Sequence, residues 1–409
     1  MNERRALPRL RPIDLRAVHH EGELRYWLRD PLQLCEDVLI VPPILAAALA
    51  FCDGTRDAEG ICAAFALQYG QRLPVRVVQQ MLQALDQALL LDNERSALAQ
   101  AQALEAYRQA TFRQPICAGN SYPNGARALK EALNEFFGTI DDTAPAIQAK
   151  RGIVSPHIDY LRGGRVYAQA WQAAAHLVQE AELAVIIGTD HYGDDPFTLT
   201  RQHYATPYGV LPTARPIVEA LAEAIGPAHA FAGELRHRIE HSLELPLVWL
   251  HHLRNGQPIE VVPVLAGSFT RFMSNGAKPT DDAGVRSFID ALIQLTAGRR
   301  AIFIASGDLA HVGPAFGGAP LNAEDRAQIT QEDTKLIEAM QAGNAEDFFT
   351  TIRRIDNRNN VCGTAPIYLT LKALEAAQGD IAGHARSYAH CPADEEGTSI
   401  VSICGIVLD

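Results

Sequence analysis

Apolar residues at Val78, Met81, Leu82, Leu85 and Leu89 recur at intervals of three and four. That is the period of a helix with one buried face, and it predicts a helix over about residues 75–89. The same reading places helices at 44–52 and about 58–69, separated by Asp53-Gly54-Thr55, where Gly54 suits a left-handed helix-closing residue. Two short extended runs, 23–28 and 38–41, come before them. Two strands and three helices within residues 1–92 outline a small winged-helix-like α+β unit. Residues 96–113 are rich in Ala and Gln and hold neither Pro nor Gly, so 93–113 is assigned as a connecting helix.

From residue 114 the pattern changes. Short apolar runs at 152–155, 183–188, 259–265, 301–306 and 400–408 alternate with amphipathic stretches near 166–180, 216–224, 243–253, 284–295, 328–341 and 365–376. The uninterrupted runs "LAVIIG" and "IEVVPVLAG" fit central strands covered on both faces. Strands alternating with helices predict an α/β domain over 114–409, with a mainly parallel central sheet flanked by helices. Two domains also suit a chain of 409 residues.

Composition narrows the partners. A net charge of -12 argues against a broad basic footprint for nucleic acid or for an anionic membrane surface. The chain lacks an apolar run long enough to cross a bilayer, and its first residues lack the apolar core of a secretory signal. Seven cysteines without a CxxC pair are expected to be reduced thiols in a cytoplasmic protein.

Candidate chemistry gathers where predicted strands run out, the usual place for functional groups in an open α/β sheet. Run 152–155 leads into Pro156-His157-Ile158-Asp159-Tyr160, run 183–188 into Thr189-Asp190-His191-Tyr192, and run 301–306 into Gly307-Asp308-Leu309-Ala310-His311. A single His or Asp at a strand end is more often a cap or loop residue than a catalyst. Three strand ends delivering the same residue types predict convergence on one point. Glu240-His241-Ser242-Leu243-Glu244 opens a predicted helix, where Ser or Glu also serve as caps. Cys362 precedes another helix, whose dipole favours a thiolate, although a free Cys packs equally well as a small hydrophobe. His251-His252 is expected to be an exposed helix end, and His384, His390 and Cys391 are left without a role.

Two resemblances follow from these residues. The segments "LRDP", "VLIVPP", "FCDGTRDAEGICAAF" and "VVQQMLQALDQALLLDN" resemble the PqqD-like peptide-recognition fold, with a helical adaptor as the plainer alternative. From about residue 115 onward, "AGNSYPNGARALKEALNEFF", "SPHIDY", "GTDHYG", "EHSLEL", "ASGDLAHVG" and "VCGTAPI" resemble, in order, the motifs of the Memo family. That family is the protein B component of the AMMECR1–Memo–radical-SAM system, and its fold resembles class III extradiol dioxygenases.

The Memo resemblance implies metal ligands at His157, His191 and Cys362, and further pocket residues at His241, Asp308 and His311. It implies iron(II) or copper. Two imidazoles and a thiolate suit iron, copper or zinc, of which the resemblance makes zinc the less expected, and do not suit magnesium or calcium. Three protein ligands leave a position open for substrate. Departures from the family pattern put Asp159 after the first ligand, where it is expected to add a carboxylate near the metal, Asp190 and Tyr192 on either side of the second, and Leu245-Pro246 after Glu244. The expectation is a non-haem iron or copper oxidoreductase acting on a small molecule beside radical-SAM and AMMECR1-like proteins. The alternative is a non-catalytic module whose N-terminal unit recruits a peptide or an enzyme.

Overall fold

The computed structural model describes residues 7–20, 22–140, 150–274 and 276–409. The chain divides into two compact units, Met1–Gln109 and Ala110–Asp409.

In the first unit, β1 (Asp14–His20), β2 (Glu23–Arg29) and β3 (Leu39–Val41) form an antiparallel sheet in that order. The helices α1 (Pro43–Ala48), α2 (Ala58–Tyr69), α3 (Val75–Gln87) and α4 (Glu94–Gln109) follow. Asp57 caps α2 by accepting from Gly60 N, and Gly70 closes it at φ +68°. Gly54 is left-handed at φ +84°, as its place between two helices predicts. The core joins Leu28 to Ile61, Phe65, Val78, Met81 and Leu85. Strand β1 was not anticipated, because "DLRAVHH" is mostly polar and shows no clear period of two.

The second unit begins with α5 (Ala126–Gly138), β4 (Gly152–Ser155), α6 (Tyr160–Glu180) and β5 (Leu183–Thr189). Short strands β6 (Thr198–Leu199), β7 (Tyr204–Thr206) and β8 (Gly209–Leu211) precede α7 (Arg215–Ile225), α8 (Pro227–Ala230), α9 (Glu244–Leu253) and β9 (Glu260–Ala266). Then come α10 (Thr270–Met273), α11 (Ala283–Thr296), β10 (Ala301–Ser306), β11 (His311–Val312), α12 (Ala323–Gln341), α13 (Ala345–Arg354) and α14 (Thr364–Gln378). A hairpin of β12 (Gly383–Pro392) and β13 (Ile400–Leu408) ends the chain.

The large sheet runs β11-β13-β4-β10-β5-β9-β6, with β12 on β13. Its centre, β4-β10-β5-β9, is parallel, and the strands at either side are antiparallel. Alternate residues of each central strand feed opposite cores. Val185, Ile187, Phe303 and Ala305 pack on one face with Leu221, Leu292 and Leu371; Ala184, Ile186, Ile302 and Ile304 pack on the other with Trp171 and Trp249. Both faces are covered, which explains the uninterrupted apolar runs. Among the described residues, no helix is long and apolar enough to cross a membrane.

Two glycines bring α6 close to its neighbours. A Cβ on Gly164 would lie 2.3 Å from the Phe136 ring of α5, and one on Gly163 would lie 2.4 Å from Ile158. A helical Gly costs about 1 kcal/mol against Ala, so this pair exchanges propensity for close packing next to His157. The expectation for His251-His252 is corrected here. Both sit in the last turn of α9, but their side chains turn inward and are 1% and 7% exposed. Thr206 and Tyr208 supply hydroxyls to their Nδ1 atoms at 2.7 and 3.0 Å.

Candidate metal centre

Neighbouring strands β4, β10 and β5 are parallel, so their carboxyl ends lie side by side. They deliver His157, Asp308 and His191 to one spot without distorting the sheet. Cys362 arrives from the loop before α14. Gly307 and Gly363 let two backbones touch, since a Cβ on Gly307 would stand 2.4 Å from the Gly363 Cα. Gly363 N donates to Asp308 O at 2.9 Å, and Thr189 Oγ1 donates to Cys362 O at 2.9 Å. The thiol is thereby tied to the ends of both β10 and β5.

The ligand-type atoms of His157, His191 and Cys362 all lie within 4.8 Å of one another. His157 Nε2 stands 3.2 Å from Cys362 Sγ. Its Nδ1 lies 3.3 Å from Ser306 Oγ, whose own proton goes to Ser242 O. Nδ1 must therefore be the donor, which leaves a lone pair on Nε2 facing the thiol. Burial, and next His191, push His157 well below its ordinary pKa, so this ring is neutral. His191 Nδ1 meets the Glu240 carboxylate at 3.0 and 3.1 Å. Burial alone would lower His191, but Glu240 and Cys362 outweigh it and hold the ring well above its usual range.

Glu240 was passed over in the sequence as one member of a helix-opening cluster. It is fully buried and accepts from His191 N, Ser242 N and His191 Nδ1, with His241 Nδ1 at 3.1 Å. Burial would raise this carboxyl, but His191 and His241 override it and keep it well below its usual range. His191, Glu240 and His241 form a second cluster of metal-ligand type, in which the carboxylate already holds both imidazoles. Glu240 lies in the non-helical turn before α9, so no helical spacing in the sequence marks it out.

The other predicted residues are placed as follows. The His241 ring stacks on His191 at 4.8 Å and stands edge-on to His157 at 5.3 Å. Asp308 accepts from His157 N at 2.9 Å, and burial, moderated by that bond, raises its pKa to about 6. His311 Nδ1 faces the carbonyls of Leu309 and Asn360 at 3.1 and 3.2 Å, so it carries the proton. Burial and then His191 lower its pKa to about 4, leaving a bare Nε2 at neutral pH.

Three expectations are corrected. Asp159 does not add a carboxylate to the cluster; it caps α6 and pairs with Arg162. Asp190 turns away to Arg236 at 2.6 Å. Burial outweighs the His191 hydrogen bond and raises the Cys362 pKa, where the helix terminus led us to expect a lowered one.

The site can be tested for fit to a metal from its donors alone. Each imidazole of the triad commits one nitrogen to a protein acceptor and turns the other inward, the usual way a protein fixes metal-binding histidines. The donor set fits iron, copper or zinc.

The sequence profile of the family described as "Memo-like protein" matches residues 113–407. The chain belongs to the Memo family. It is 26% identical over 375 residues to a MEMO1 family protein of Aquifex aeolicus, covering 90% of this chain and 91% of that protein. An alignment of that length extends beyond the second unit into the first. A MEMO1 family protein of Methanosarcina barkeri is 28% identical over 281 residues, covering 68% of this chain and 93% of its own. The crystal structure of an uncharacterized protein from Escherichia coli K12 aligns at a TM-score of 0.34 and 14% identity, over 59% of this chain and 91% of its own. Within the Memo match lie all the residues of the cluster.

Proposed function

We propose that the chain holds one iron(II) or copper ion on His157, His191 and Cys362 and works as a metal-dependent oxidoreductase on a small molecule. The observation that carries this reading is the inward convergence of two oriented imidazoles and a thiol at three strand and loop ends. When bound, the metal would supply one-electron chemistry and an open position for substrate or dioxygen.

The chain's own groups supply the rest. Glu240 orients His191, and Ser306 orients His157. His311 Nε2 is the proton acceptor, because its Nδ1 is occupied and the ring is neutral at pH 7. Asp308, with a pKa near working pH, holds or releases a proton below His157.

Protein purified without oxygen and analysed for elements is expected to carry about one iron or copper per chain. His311→Gln should keep that metal and lower oxygen-dependent turnover by roughly a hundredfold, the lower end for losing a general base. Zinc in its place would redirect the reading to hydrolysis, and a metal-free chain would end it.

A second reading concerns the first unit, for which we propose a PqqD-like role in holding a peptide beside a radical-SAM or AMMECR1-like partner. What favours it is the short open sheet β1-β2-β3 and an outward cross-strand pair, Trp27 and Ile40, 38% and 48% exposed. A peptide could add a strand to this sheet and lay apolar side chains across its Trp27–Ile40 face. In a screen of a displayed decapeptide library, the selected peptides should bind Trp27→Ala about tenfold more weakly than wild type. Equal binding to both chains would remove this role.

A further inference from the structure

Arg113 and Glu244 are both fully buried, and their side chains pair. Glu244 also accepts from Ile116 N and Cys117 N at 2.9 Å and from the Tyr122 hydroxyl. Arg113 Nε donates to His237 O at 2.9 Å, and Nη2 donates to Glu240 O at 2.8 Å. Its guanidinium lies over the Tyr204 ring, and its own backbone joins His203 and Ala205.

A buried ion pair is weak evidence for stability. Desolvating two charges offsets most of their attraction, and a well-packed apolar pair of similar size is often as stable. What this pair does provide is position. Arg113 pins the backbone at residue 240, and Glu244 pins the first turn of α9, so the turn from Glu240 to Glu244 is held at both ends.

That turn reaches both imidazoles of the triad. Glu240 binds His191 through its ring and its backbone, and also binds His241. Ser242 N donates to Glu240, and Ser242 Oγ donates to Thr189 O at 2.7 Å. Ser242 O takes the Ser306 proton, which leaves Ser306 Oγ as acceptor for His157 Nδ1. A shift of the turn would therefore loosen Glu240 from His191 and Ser306 from His157 together.

We infer that Arg113 and Glu244 are positioning residues, a buried clamp on the Glu240–Glu244 turn that sets the orientation of His191, His241 and His157. The clamp acts on the imidazoles whether or not a metal is present; its effect on metal affinity rests on the function proposed above.

Removing one partner strands the other's charge and endangers the fold. The informative variant is therefore the double replacement Arg113→Met/Glu244→Gln, which removes both charges at similar volume. The comparison is Leu221→Ala, a cavity in the opposite core that lowers melting temperature without touching the turn. Metal-free chains labelled with ¹⁵N-histidine would be read by NMR for the ring N–H signals of His191 and His241. The double variant should lose the exchange protection of both at least tenfold, and Leu221→Ala should keep it.

Titrated with cobalt(II), the double variant should bind at least tenfold more weakly than wild type, with a changed thiolate spectrum, as expected when groups orienting metal-binding histidines are lost. A double variant with wild-type imidazole signals would overturn the clamp. So would equal loss of protection in Leu221→Ala. A wild-type chain that binds no cobalt while the imidazole signals still respond would sink the metal reading and support the clamp.

Discussion

Cys362→Ala is expected to weaken iron(II) or copper binding by roughly two to three orders of magnitude, taking one donor's share of the ~10–16 kcal/mol typical of four-donor structural zinc sites. The two imidazoles stay oriented in this variant, because Ser306 and Glu240 do not touch the thiol. The loss therefore reports the sulfur donor itself. Cys362→Ser keeps the shape and replaces a soft donor with a hard one, so it should bind copper(I) nearly as poorly as the alanine variant. Competition against a chromophoric chelator, without oxygen, measures both. Affinity within threefold of wild type in Cys362→Ala would remove Cys362 from the ligand set.

Affinity should also rise with pH. The metal-free cluster holds a proton on His191, raised by Glu240, and one on the Cys362 thiol, raised by burial. Binding must displace both. Proton release on metal addition, read with an indicator dye, should therefore approach two per metal near neutrality.

The parts of the fold legible in the sequence are those with a local signature. Five apolar runs gave five strands of the large sheet, and the His and Asp behind three of them mark strand ends that the structure sets side by side. The Memo resemblance singled out Cys362, which the residues alone left open between packing and chemistry. The groups that orient the site were not legible, because they are joined only by folding. Arg113 and Glu244 stand 131 positions apart, and Arg113 closes a polar run assigned to a connecting helix, whereas α4 stops at Gln109.

Charge alone was a poor guide to proximity. Asp159 and Asp190 adjoin the ligands in sequence, yet nearby arginines draw their carboxylates away. The carboxylate that does reach His191 comes from 49 residues downstream. Strand β12 escaped for a different reason. Among the described residues it pairs with β13 alone and stays half-exposed, so its sequence shows no apolar run.

Acid should unfold this protein early, through buried histidines outside the ligand triad. Burial is the main cause that lowers His237 to about 3 and His251 and His252 to about 4, against an ordinary value of 6.5. His251 Nε2 is buried without a hydrogen-bond partner, and burial outweighs the Gly256 backbone contact that favours the protonated ring. Below pH 6.5 the unfolded chain takes up protons that the folded chain refuses, and stability falls as pH falls. At pH 5 each ring costs about 2 kcal/mol, or about 6 kcal/mol for the three, a large part of a typical folding free energy. Asp308 and Asp333 act in the opposite sense. Burial raises each to about 6, so the folded state binds their protons first, and together they return about 3 kcal/mol at pH 5. Between pH 6.5 and 5 the loss at these three rings exceeds the gain at the two carboxyls, and denaturant titrations of the metal-free chain should show stability falling. The double replacement His251→Gln/His252→Gln removes two of these titrating rings. Its decline over that window should be about 3 kcal/mol smaller than the wild type's, and a decline as steep as the wild type's would show that these rings are not the cause.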